Sequence, residues 1–418
     1  MIASENKPGL AGASTLAPLN VCLVSSVSSG MTGGLASYLR CLADHLSREC
    51  SVSAIARFTQ MDSTAMYAGA EPPRTLDLGS YQTRIIAPPA AWRPVLQRLV
   101  TLVSRPALQP LAQWLYRCAY QPALAAAMPA RVNVVHYVGN GWELLGFAAL
   151  AEARKRGVAF TALPAIHPGT WGDSPLDVAF YNQTDAVFVL SESEQTHLIR
   201  LGVEPSRLQI IGLAPASAAN GDAARFRRDH DLGERPLILF IGRKDRSKGY
   251  HALREAMPRI LAAVPDACLV AIGPDREPPY PAVPKSSLLD LGLASEADKA
   301  DALAACDVFC LPSENESFGI VYVEAWAYGK PVVGGPAAAV RELIAEGVTG
   351  VCIPQDKEAI ADTLIRLLRD PALRDRLGAA GCQVQQERFT WPVVLGTHFE
   401  VFRAALAEAS RKGTKNSV

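Results

Sequence analysis

Glu316 and Glu324 stand eight residues apart in the segment from Pro312 to Val333, which leaves an apolar run, turns through polar residues and enters a helix. Gly329 and Pro331 close that helix, Gly because it tolerates a left-handed cap and Pro because it cannot continue the ladder. The spacing leaves Glu316 in the turn and Glu324 more than one turn into the helix, so both can face one cleft. Each carboxylate can accept from paired hydroxyls of the kind a sugar or a ribose presents. Backbone N–H groups near Phe318, Gly319 and Ile320 are free at the helix start, where the dipole favours an anion such as phosphate. A Glu in a first helical turn can also do no more than complement that dipole, so Glu316 by itself decides nothing.

A second charged turn lies upstream, where Phe240-Ile241-Gly242 runs into Arg243-Lys244-Asp245-Arg246-Ser247-Lys248-Gly249-Tyr250. Arg243 and Lys248 could clamp a diphosphate, the guanidinium in a bidentate fork and the ammonium as a point charge. Solvated loop charges would look the same in isolation. Only the combination of both turns points to one site.

The elements that must hold these turns follow from the apolar pattern. From Val21 onward short apolar runs alternate with turns and amphipathic stretches, which signals an α/β fold of doubly wound parallel sheets. Strands are predicted at Val21 to Ser25, Ser51 to Ala56, Val132 to Val138, Ala159 to Leu163 and Ala186 to Leu190. A second series follows at Leu237 to Ile241, Cys268 to Ile272, Val308 to Leu311, Pro331 to Val333 and Gly350 to Ile353. Between the series lies the small-residue stretch Leu213 to Gly221, the best place for a linker. The reading divides the chain into a flexible leader at 1–18, a first Rossmann-like domain at 19–215, a second at 216–390 and a returning helix with tail at 391–418. A chain of 418 residues exceeds what one core usually serves, so a cleft between two domains is available.

Gly242-Arg243, Lys248-Gly249, Pro312-Ser313, Glu316-Ser317-Phe318-Gly319, Glu324-Ala325 and Gly329-Lys330-Pro331-Val332, taken in order, resemble the donor domain of group 1 retaining glycosyltransferases. The resemblance implies two Rossmann-like domains facing an interdomain cleft, the GT-B arrangement, and a nucleotide-diphosphate sugar as donor, of the UDP or GDP type. It implies that Glu316 meets the hydroxyls of the donor sugar, that Glu324 meets the ribose, and that Arg243 and Lys248 hold the diphosphate. Ser317, Phe318, Gly319 and Ile320 would line the same donor site. In the first domain the likeness is looser, resting on Gly33-Gly34 after the first strand and on His167 after the strand at Phe160 to Leu163. Paired Gly lets the backbone approach a ligand, and the resemblance implies that His167 reaches the transferred sugar. One departure is Gly212-Leu213-Ala214-Pro215, where such proteins often carry Asn-Gly; it bears on the hinge.

By the same resemblance no metal and no further cofactor are expected, and the configuration at the sugar is retained. The acceptor is expected to be a glycan or a polyprenyl-phosphate-linked glycan of the cell envelope or an exopolysaccharide. A catalytically silent binding module, or a sugar epimerase or phosphorylase on a similar scaffold, are the rival readings. Motifs of serine hydrolases, P-loop kinases and zinc hydrolases are absent.

Basic and acidic residues balance at 41 each, so no overall field draws the chain to nucleic acid. The nine Cys are scattered without a CxxC pair and read as reduced core thiols. No uncharged apolar run is long enough to span a bilayer, and the start of the chain lacks a signal-peptide core, so a cytoplasmic protein is expected, peripheral at the inner face of the membrane if it meets one. Residues 78–142 contain no Asp or Glu, while Arg84, Arg93, Arg98, Arg105, Arg117 and Arg131 recur among apolar residues. That region, 84–131, suits an anionic membrane surface or a lipid phosphate; a helical insertion packed on the domain is the other reading.

Overall fold

The computed structural model describes residues 18–28, 34–59, 66–68, 71–216 and 219–415. Gly33 and all but the last residue of the expected leader lie outside the described residues.

Eight strands form the first sheet: β1 (Asn20–Ser25), β2 (Ser51–Ala56), β3 (Arg74–Asp77), β4 (Gln82–Ile85), β5 (Val134–Val138), β6 (Ala159–Leu163), β7 (Ala186–Val189) and β8 (Leu208–Ile210). Six more form the second: β9 (Leu237–Ile241), β10 (Cys268–Ile272), β11 (Leu288–Gly292), β12 (Val308–Leu311), β13 (Val332–Gly334) and β14 (Gly350–Cys352). The first sheet runs β3-β4-β2-β1-β5-β6-β7-β8 and the second β11-β10-β9-β12-β13-β14. Every pairing is parallel except β3 with β4, which adds an antiparallel edge. Strands β5, β6, β9 and β10 are buried along their whole length, as helices on both faces of a parallel sheet require.

Four strands escape the sequence pattern, among them β8, a three-residue strand at one edge of the first sheet. Arg-Thr-Leu-Asp of β3 and Gln-Thr-Arg-Ile of β4 are four-residue strands at or near a sheet edge, mostly polar, and since buried Thr83 stands where an apolar residue would mark the inward face, no apolar alternation shows. Edge strand β11 carries Asp290, whose carboxylate pairs with the buried ammonium of Lys244 beyond β9. That long-range pairing has no local signature.

One apolar core fills the face of the first sheet that carries the helix Gly34–Leu46 and continues into the second half of the chain. The other face has its own core under the helices Gln109–Ala127 and Leu145–Arg156. The last helix, Trp391–Lys415, returns to the first sheet. Trp391 stacks on His45 at 4.3 Å between ring centres and its Nε1 donates to the carbonyl oxygen of Pro215 at 2.9 Å. His398, wholly buried, meets the Tyr38 hydroxyl at 2.9 Å. His136 lies inside β5, where its Nδ1 bonds to Thr161 Oγ1 at 2.8 Å and its ring packs on Phe188 and Phe402; it is a core residue. All nine cysteines are free, and burial pushes the thiols of Cys22 and Cys306 up to about 11 and about 12.

Candidate active site

The strand order of the second sheet reverses between β9 and β12, and open α/β sheets bind ligands beyond the carboxyl ends of their strands at such a point. Residues 242–249 leave β9 there and residues 312–319 leave β12. The two turns touch: Gly249 has φ +77°, and a Cβ on it would lie 2.6 Å from the carbonyl oxygen of Pro312, so only glycine fits.

This close packing joins the predicted cation and carboxylate. Lys248 Nζ donates to Glu316 Oε1 at 2.7 Å and to the Asn315 carbonyl oxygen at 2.9 Å. Asp245 positions the turn, its Oδ1 accepting from the Lys248 N–H at 2.9 Å and its Oδ2 from Arg243 Nε at 3.0 Å. The Arg243 side chain is half exposed, so the rest of its guanidinium fork is open to solvent. Behind Glu316 the helix Ile320–Ala327 begins at Gly319, φ +82°, with no side chain capping its first turn. Its leading N–H groups therefore provide a positive end for an anion.

Glu324 is buried in that helix and its Oε1 accepts from Lys299 Nζ at 3.0 Å. Oε2, equally buried, makes no well-formed hydrogen bond among the described residues, and the Ala216 backbone N–H lies near enough to the carboxylate to favour its charged form. Burial holds the Glu324 carboxyl above its ordinary range, and Lys299 opposes this. For Lys299 burial alone would lower the ammonium, but the charges of Glu324 and Glu296 outweigh it and hold the group protonated beyond its usual range. A buried carboxylate with one oxygen bound and one open can accept from a diol.

His167 comes from the first half of the chain, four residues past β6. The backbone is held in a left-handed conformation at Ala165, φ +48°, which is uncommon for a residue with a Cβ. A one-turn loop follows, with the His167 N–H donating to the Trp171 carbonyl oxygen at 2.9 Å. Its Nδ1 meets Ser317 Oγ at 2.9 Å across the cleft, and Asn315 Nδ2 reaches Thr170 Oγ1 at 3.3 Å. The carboxyl ends of the two sheets thus face each other. Burial, and then the nearby Lys248 ammonium, lower the His167 pKa, so its imidazole is neutral at neutral pH. A cavity of about 230 Å³ opens here, lined by Tyr38, Ala165, His167 and Trp171 from one side and by Glu316, Phe318, Gly319 and Ile320 from the other.

The structure therefore brings Arg243, Lys248, Glu316, Ser317, Phe318, Gly319, Ile320 and His167 to one cleft, with Glu324 buried in the helix that begins there. Gly34 opens the helix Gly34–Leu46 after β1, while Gly33 beside it is not among the described residues.

Comparison with known proteins identifies the family. The model of the family "Glycosyl transferases group 1" matches residues 222–384, the half that carries both turns. A D-inositol 3-phosphate glycosyltransferase of Frankia alni is 30% identical over 339 residues, 72% of this chain and 81% of that protein. This chain belongs to the group 1 glycosyltransferases. A phosphatidyl-myo-inositol mannosyltransferase of Mycobacterium leprae is 35% identical over 181 residues, 42% of this chain and 48% of the relative. The match thus spans about half the length of that relative. The fold is shared with sucrose-phosphate synthase of Thermosynechococcus elongatus, at a TM-score of 0.70 and 19% identity, covering 93% of this chain and all of that one.

Several residues of this candidate site carry no motif. Asp245 is visible in the sequence only as one more charge in the turn, yet it fixes both Arg243 and Lys248. Lys299 lies 25 residues before Glu324 and only the fold brings them together. Tyr38 and Trp171 line the cavity from helix and loop positions that apolar periodicity assigns to the core or leaves unassigned.

Proposed function

We propose that this glycosyltransferase moves a sugar from a nucleoside diphosphate to an acceptor hydroxyl with retention of configuration and without a metal. The observation that carries the reading is the meeting of the Lys248–Glu316 pair, the uncapped helix start at Gly319 and neutral His167 in one cleft. Glu324 accepts from the ribose hydroxyls through its open oxygen. Arg243, Lys248 and the helix N-terminus face the diphosphate and stabilise the charge that grows on it as the bond from the sugar's anomeric carbon to phosphate oxygen breaks. The acceptor oxygen bonds to that carbon on the same face, and its proton passes to the departing phosphate oxygen. Glu316 and His167 hold hydroxyls of the sugar during the exchange, His167 in its uncharged form.

The acceptor we propose is a glycan or a lipid-linked one, made in the cytoplasm for the cell envelope. Two relatives support a phosphate-bearing polyol on the acceptor side, since their names specify phosphatidyl-myo-inositol and D-inositol 3-phosphate.

Product analysis tests the reading. Incubation with a panel of sugar nucleotides is expected to release nucleoside diphosphate and form a glycoside whose anomeric proton coupling matches the donor. Lys248→Ala or Arg243→Ala should lower turnover about 100- to 1000-fold with the fold intact. Free epimerised sugar nucleotide in place of a glycoside would make the chain an epimerase. No turnover of any donor, together with no nucleotide binding, would make it a silent module.

A further inference from the structure

The acid-free region between β4 and β5 folds into the helices Arg93–Gln97, Leu99–Val103 and Gln109–Ala127. Their inward faces are spent on the core: Leu96, Leu99, Val103, Tyr116 and Tyr120 are fully buried. An insertion packed on the domain requires no more than this. Their outward faces nevertheless carry Val95, Val100, Leu111 and Trp114, which are 38%, 51%, 46% and 58% exposed. These four, within twenty residues of sequence, are a large share of the ten exposed large apolar residues among the described residues. Arg93, Arg98, Arg105 and Arg117 are exposed among them, and no Asp or Glu occurs from 78 to 142 to neutralise them. A water-facing helix surface ordinarily mixes both signs of charge and few apolar groups.

The fold fixes where this surface lies. The chain leaves β4 at its carboxyl end and enters β5 at its amino end, so the long helix Gln109–Ala127 runs the height of the sheet. Arg57, the first residue after β2, sits over the rings of Tyr116 and Tyr120, which places that part of the helix at the carboxyl edge. At the other end Arg156 bonds to the carbonyl oxygens of Ala125 and Pro129. Leu111 and Trp114 therefore overhang the carboxyl edge, the side on which His167 meets Ser317.

We propose that this outward face is a docking surface for an anionic lipid bilayer. Val95, Val100, Leu111 and Trp114 enter the headgroup boundary, where Trp is favoured, and the four arginines meet lipid phosphates. Charge complementarity selects the bilayer over an apolar partner: a second copy of the chain would bring the same four arginines against themselves. Seated this way, the protein holds the rim of its cleft against the membrane, within reach of an acceptor that stays anchored in lipid. The surface is independent of turnover, so its test does not rest on the transferase reading.

Flotation with vesicles of phosphatidylcholine alone and with 30% phosphatidylglycerol (about 3:7 anionic to neutral lipid) is the experiment. The full chain is expected to float with the anionic vesicles at low salt and to detach as salt rises. Replacing Arg98 and Arg117 by Gln should weaken the partition about fivefold for each residue. Leu111→Ser with Trp114→Ser should weaken it in a way salt does not mimic. Both pairs are exposed, so unchanged melting curves are expected to accompany the loss. No flotation at low salt, equal flotation with neutral vesicles, or binding that both variants keep would overturn the proposal. So would a dimer, seen by sedimentation, that Trp114→Ser abolishes while vesicles are ignored.

Discussion

At the residue scale the site is a set of charges held in place by one another. Glu316 takes the Lys248 ammonium, Asp245 takes both Arg243 and the Lys248 amide, and Glu324 takes Lys299. The anchor residues of the two turns were legible in the sequence because backbone chemistry, Gly at a left-handed position and charge after a buried strand, forces them into local patterns. The support from Lys299 was not, because it depends on a contact between distant segments, and although Ser317 and His167 were each expected at the site, the bond between them was not. His167 gives a test by pH. Burial and Lys248 lower its pKa, so its neutral form persists below the ordinary imidazole range near 6.5. The acid limb of kcat/KM should therefore lie below that range, and His167→Gln should remove the limb while lowering the rate. A limb that stays in the His167→Gln profile would assign it to another group.

Among the elements, the helix Trp391–Lys415 shows how a distant segment completes a domain. It lays Trp391, His398 and Phe402 on the first sheet, with His398 between Tyr38, Phe188 and the His136 ring. Burial lowers the His398 pKa to about 4, against roughly 6.5 in an unfolded chain. Between those values the unfolded state binds the extra proton, so the stability His398 contributes is present above 6.5 and is lost as pH falls towards 4. The loss is on the order of 3 kcal/mol over that window. His136 is shifted the same way by burial and by His398, while Glu143, Glu194 and Glu324 are raised by burial and act in the opposite sense. The difference between wild type and His398→Gln isolates the term: denaturant melts should show the wild type losing its advantage as pH drops from 7 to 4. A constant difference would place the effect elsewhere. The major strands and this helix could be read from apolar runs and helical spacing, whereas β3, β4, β8 and β11 could not, since short strands at or near a sheet edge are defined by their partners.

For the molecule as a whole, the question is what keeps two α/β halves facing. Besides the His167–Ser317 bond, Glu342 of the second half accepts from the N–H groups of Glu192 and Ser193 at 2.6 and 2.9 Å. Those amides open the helix Glu192–Arg200 of the first half, so a carboxylate from one half caps a helix of the other. Its loss in Glu342→Ala should cost roughly 0.5 to 2 kcal/mol and shift the closed-to-open ratio about two- to thirtyfold. Small-angle scattering of the ligand-free protein should then report a larger radius of gyration than in wild type; identical curves would mean that closure is set by other contacts.

The central claim is that the cleft binds a nucleoside diphosphate through the second half of the chain, and calorimetric titration measures this most directly. UDP, GDP, ADP and TDP would be titrated in turn into the wild type and into Glu324→Ala. The account predicts micromolar binding of one of the four, abolished or weakened at least tenfold in the variant, which would also name the base. Binding of none by the wild type, or binding that Glu324→Ala leaves unchanged, would contradict it.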